Sequence, residues 1–142
     1  MKCNFFNLGL IILFFIALVI GCSEAKNAKP AAETAIGDFH QLFNEGRISD
    51  IYKSCAPDFR SATTETEFNE LMSAVSRKLG KEISTTNQNW NVKNFNLSTS
   101  IVMVQNTEFE QGYGTETFTF EINGDKAILL GYYINSNDLI TK

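Results

Sequence analysis

At Gly80 the apolar period of this chain changes from 3.6 residues to 2. That change restricts the possible folds more than any other feature of the sequence. Before it, Ala32, Ala35, Ile36, Phe39 and Phe43 recur at three- and four-residue spacing and predict a first helix from Ala31, stopped near Gly46. Ile48, Ile51, Tyr52 and Cys55 predict a short second helix ended by Pro57, with Asp58-Phe59-Arg60 as a single turn. Thr64 and Glu67 have the spacing of a capping box, and Phe68, Leu71, Met72, Val75 and Leu79 line one face of the helix that follows. Its acids lie early and its bases late, as the helix dipole favours.

After Gly80 the alternation is that of strands. Ile83 to Trp90 reads as an edge strand or a loop, and Trp90, Val92, Phe95 and Leu97 as an irregular strand. Ile101 to Phe109 predicts a strand with Ile101, Met103 and Phe109 on one face and Val102 and Val104 on the other. In Thr115 to Ile122, Phe118, Phe120 and Ile122 point inward, while Thr117, Thr119 and Glu121 point outward. Asn123-Gly124 predicts a tight hairpin, and Ala127 to Asn135 a last strand apolar on both faces, with a bulge or bend at Gly131. Helices segregated from strands in this way imply an α+β fold with helices on one face of an antiparallel sheet. No internal repeat interrupts residues 31–142, which read as a single domain.

The first thirty residues read as an address. Met1-Lys2-Cys3-Asn4 is a short basic start, and Leu8 to Ile20 carries no charged or hydrogen-bonding side chain. As a helix that run spans roughly 20 Å, short of the ~30 Å hydrocarbon core, which is the pattern of a secretory signal. Val19-Ile20-Gly21-Cys22 resembles the lipobox of bacterial lipoproteins. The resemblance implies cleavage of residues 1–21, a diacylglyceryl group on the Cys22 thiol, and a mature chain anchored in the bilayer. Two or more acyl chains hold a protein stably, at about 0.8 kcal/mol per buried CH₂. Residues 22–30 then read as the lipidated cysteine and a polar tether, whose eight residues from Ser23 to Pro30 reach at most about 28 Å. The expected address is the cell envelope. Ser23 after the cysteine resembles the outer-membrane pattern in a host with two membranes, with the domain facing the periplasm.

Charge and ligand chemistry exclude several functions. Twelve basic and sixteen acidic side chains give −4, and loss of Lys2 with the leader makes the mature balance −5. An acidic body lacks the basic stripe of a nucleic-acid binder and stands off anionic headgroups. With Cys3 removed and Cys22 lipidated, Cys55 has no intrachain partner and is expected to be buried. One histidine and one free cysteine cannot close a metal site, and Gly112-Tyr113-Gly114 has no following helix to cradle phosphate, so no metal or other cofactor is expected.

The strand sequences Ser100–Phe109, Gly112–Phe120 and Leu130–Asn135, with Ile51-Tyr52, Pro57-Asp58-Phe59 and Leu79-Gly80 upstream, resemble uncharacterised bacterial domains of the nuclear transport factor 2-like (cystatin-like) superfamily. The resemblance implies a cone, with a strongly curved sheet wrapped around the first long helix. That superfamily spans enzymes and accessory domains, so the likeness carries no activity. Within such a cone His40, Trp90 and Tyr132 are the candidate pocket residues, and no catalytic set is matched. Glu108, Glu110, Glu116 and Glu121 read as a solvated outer face. The expected function is a membrane-anchored binding or accessory domain for a protein partner or a small apolar ligand. The alternative is a small isomerase or lyase using the cone pocket.

Overall fold

The computed structural model describes the chain from Ser23 to Thr141 apart from Leu97, with side chains from Lys26 onward. The leader and Cys22 lie outside the described residues. The fold is α+β. Helices α1 (Ser23–Asn44), α2 (Ile48–Ser54), α3 (Pro57–Ala62) and α4 (Glu65–Leu79) precede strands β1 (Glu82–Phe95), β2 (Ser98–Phe109), β3 (Gly112–Asn123) and β4 (Lys126–Asn135). A last turn, α5 (Asn137–Thr141), follows. The strands form an open antiparallel meander in the order β1-β2-β3-β4.

Helix α1 begins at Ser23, so Ser23–Pro30 forms its first turns, ahead of the helix start expected at Ala31. Burial of Ala28 against the core, beside Ala32, gives these polar residues a reason to be helical. Thr34 donates to the Pro30 carbonyl at 3.0 Å. The helix ends where Gly46 adopts φ 72°, which lets Gly46 N–H reach the Phe43 carbonyl and Arg47 N–H reach that of Leu42, both at 2.9 Å. This pair of bonds is a Schellman stop and needs a residue tolerant of positive φ. Pro57 does not merely end α2; it occupies the first turn of α3, where a missing N–H costs nothing. The capping box of α4 forms as expected, with Glu67 N–H donating to Thr64 Oγ1 and Thr64 N–H donating back to Glu67 Oε2.

Of the two readings of Ile83–Trp90 the edge strand holds, and it runs on into the irregular strand as one continuous β1, broken in register between Glu82 and Ser84 and between Asn87 and Asn89. A third irregularity places Leu130 outside the β3/β4 pairing, one residue before Gly131, so Leu129 and Tyr132 both face inward. The hairpin turn is also displaced by one residue. Asn123 pairs with Lys126, and Gly124 sits at the first central position with φ 65°, the glycine position of a type II′ turn.

Three rows run across the inner sheet face: Met103–Phe118–Tyr132, Ile101–Phe120–Leu129 and Gln105–Glu116–Ile134. Against them α1 lays Ala32, Ile36, Phe39 and Phe43, with Phe68, Met72, Val75 and Leu79 of α4 completing the core. The outer face carries Thr117, Thr119 and Glu121, as the alternation requires. Among the described residues no helix is long and apolar enough to cross a membrane.

Cys55 is buried, and its thiol donates to the Ile51 carbonyl at 3.2 Å. Burial pushes this thiol up to about 11 from its ordinary value near 9.0, with Arg60 opposing weakly. Between those values the unfolded chain has lost a proton that the folded chain keeps, so stability present below about pH 9 is lost as pH rises through about 11. In urea titrations, Cys55→Ala is expected to flatten this part of the alkaline decline. A decline of unchanged slope would assign it to other groups.

Candidate functional site

Two features converge under α1. The first is a polar cluster inside the core. Glu116 lies on the inner face of β3 in phase with Phe118 and Phe120, and is 1% exposed. Its Oε1 accepts from the Tyr132 hydroxyl at 2.6 Å, and its Oε2 accepts from Thr107 at 2.5 Å. His40 Nε2, from α1, lies 2.8 Å from Oε2. Two hydroxyl donors leave His40 Nε2–H as the third donor when Glu116 is ionised. Since Thr107 gives its one proton to Glu116, the 3.0 Å contact from Thr85 to Thr107 has Thr85 as donor. One carboxyl therefore joins α1, β2, β3 and β4 directly and β1 through Thr107.

The expectation that Glu116 belongs to a solvated outer face with Glu108, Glu110 and Glu121 is corrected. Glu116 and Glu121 differ by an odd number of positions, so an unbroken strand must send them to opposite faces. Phe118 and Phe120 facing inward already implied that Glu116 does too. What the sequence could not display was its partner His40, 76 positions away. Glu108 is on the outer side, where the Tyr113 hydroxyl donates to it at 3.2 Å, and Glu110 accepts from Lys81 N–H at 2.9 Å.

Of the three candidate pocket residues, the fold brings two together. His40 is 4% exposed, and Tyr132 meets it at Glu116. Burial, reinforced by the Glu116 charge and hydrogen bond, holds the Tyr132 phenol well above its ordinary value, so it remains a donor. Trp90 is elsewhere, on β1, and 47% exposed. Aromatic rings enclose the cluster: Phe39 and Phe118 meet edge to face at 5.1 Å, Phe118 lies 5.9 Å from the His40 ring, and Tyr132 is 5.0 Å from Phe39. His40 also borders a groove with Gln41, Asn44, Lys81 and Thr85.

The second feature is an apolar cleft of about 360 Å³ on the neighbouring side of α1. Helix α1 gives Ala35, Phe39 and Leu42, α2 gives Ile51, and the sheet gives Phe120, Ala127 and Leu129. Asp38, Gln41 and Ser54 are the polar residues on its lining. That volume is within the range of small-ligand sites, which are mostly apolar with few polar groups. Phe39 connects the two features, since its ring touches both the polar cluster and the cleft.

Among the described residues there is no grouping of three or more histidine, cysteine, aspartate or glutamate side chains able to hold a metal ion. No protein-family model matches the chain, and no curated protein sequence matches it.

Proposed function

We propose that the mature chain is a cell-envelope lipoprotein, held in the bilayer through acylated Cys22, whose domain binds a small, mainly apolar ligand in the cleft beside α1. The observation that carries the ligand is the cleft itself: about 360 Å³ walled by side chains of two helices and the sheet. Burying an apolar ligand there yields roughly 25 cal/mol per Å² removed from water. The anchor rests on Leu8–Ile20 followed by Val19-Ile20-Gly21-Cys22. In a host with two membranes we place the domain on the outer membrane, facing the periplasm. We also read the helices and sheet as the cone of the nuclear transport factor 2-like superfamily, with the irregularities in β1 and at Leu130 as the points where the sheet curves.

The isomerase or lyase alternative draws on the His40–Glu116 contact, since a carboxyl that orients an imidazole is a common acid–base arrangement. His40 and Glu116 are 4% and 1% exposed, and Glu116 also serves Tyr132 and Thr107. Those bonds favour a structural duty, fixing α1 on the sheet and so shaping the cleft.

Mass spectrometry of full-length protein gently extracted from its own membranes tests the reading. The expected species begins at Cys22, carries the mass of a diacylglyceryl group, and retains a small molecule under native conditions. A chain that keeps residues 1–21 with an unmodified Cys22 would overturn the anchor.

A further inference from the structure

The cleft has a polarity that narrows its ligand. Asp38 is the one ionisable residue on its lining, and it also lines the adjoining recess with Asp125, Lys126 and Ala127, so it stands on the lip between the two. The other polar lining groups are uncharged, and each already uses a donor within the protein. The Gln41 amide nitrogen donates to Glu45 at 2.9 Å, and the Ser54 hydroxyl donates to the Ile51 carbonyl at 2.7 Å. Among the described residues, the ion pairs join Lys29 to Glu33 and Arg47 to Glu45 and Asp50, and His40 contacts Glu116; Asp38 takes part in none of these. Lys126 borders the recess but not the cleft.

An apolar slot thus carries on its lining one exposed carboxylate that takes part in none of these ion pairs. An anionic head, such as that of a fatty acid, would meet repulsion from Asp38. An alcohol would find an acceptor but no opposite charge. A protonated amine satisfies both parts of the site, its hydrocarbon in the slot and its N–H groups donating to Asp38. Resting on the cleft reading above, we propose that the ligand is a cationic amphiphile: an apolar body carrying an ammonium or similar positively charged nitrogen held at Asp38.

Three probes of equal chain length separate the possibilities: hexylammonium, 1-hexanol and hexanoate, near pH 7, where the amine is cationic and the acid anionic. Each is titrated into full-length protein in low-salt buffer, with backbone NMR shifts reporting affinity and location. The expected order is hexylammonium, then 1-hexanol, then hexanoate, with about a fivefold gap between the first two, the size of one partly exposed ion pair. Asp38→Asn should remove that gap and leave 1-hexanol unchanged, and Asp38→Lys should reverse the preference toward hexanoate. Because Asp38 is exposed, both variants are expected to unfold at the wild-type temperature. Equal binding of all three probes at the cleft, or tighter binding of hexanoate to wild type, overturns the ammonium assignment and leaves the cleft standing. Absence of shifts at Ala35, Leu42 and Ala127 with every probe overturns the cleft reading, and this inference with it.

Discussion

Replacing Glu116 with alanine is expected to cost about 3–5 kcal/mol of folding stability, because each buried polar partner left without its acceptor costs roughly 1–3 kcal/mol. The Tyr132 hydroxyl, His40 Nε2 and the Thr107 hydroxyl would all lose their acceptor at once. At several degrees per kcal/mol in a domain of this size, the melting temperature should fall by roughly 10–20 °C. Glu116→Gln keeps the volume and one acceptor oxygen, so its cost should be smaller, about 1–3 kcal/mol. A double replacement, His40→Leu with Glu116→Leu, removes both halves of the contact and should cost less than the two single changes added together. Thermal and urea unfolding of the five variants, the two single leucine changes included, would measure this. An alanine variant within about 1 kcal/mol of wild type would mean that Glu116 does not hold the elements together.

The second large effect is expected at Phe118. Its ring is fully buried, edge to face with Phe39 at 5.1 Å, stacked on Phe120 at 5.9 Å, and 5.2 Å from Tyr132. Truncation to alanine removes most of that contact area and opens a cavity in a region fixed by the polar cluster, which limits collapse. The expected cost is about 3–5 kcal/mol. Phe118→Leu retains much of the volume and should cost about 1–1.5 kcal/mol. Tyr133, one position from Tyr132 but on the outer face, is 63% exposed, and Tyr133→Ala should stay within about 0.5 kcal/mol of wild type. Similar losses at Phe118 and Tyr133 would contradict the assignment of inner and outer faces.

These expectations also mark how far the sequence could be read. Local chemistry was legible. The Thr64/Glu67 capping box, the stop at Gly46 and the inward placement of Phe118, Phe120 and Ile122 follow from residue type and spacing alone. Where bulges intervene, local reading slips by one residue. Leu130 is unpaired, so Leu129 and Tyr132 share a face that strict alternation would deny them, and β1 absorbs two similar steps. Long-range partners were not legible. Strand parity could place Glu116 in the core, but neither His40 nor Thr107 carries a local sign of facing it. The start of α1 was missed for a related reason: the helical state of Lys26–Pro30 depends on Ala28 reaching a core built from distant residues.

The cleft belongs to the same class of feature. Ala35, Ile51 and Leu129 come from three separate elements, and their shared boundary exists only once α1 is set on the sheet. Its shape therefore depends on the Glu116 cluster, with Phe39 in contact with both. The most direct test of a ligand-binding domain is native mass spectrometry of the full-length protein from its own membranes, run beside an Ala35→Phe variant that places a ring in the cleft. The expected result is a small-molecule mass retained by the wild type and lost from the variant, with both folded. The same spectrum from both proteins, free of any such mass or carrying it equally, would contradict a ligand site beside α1.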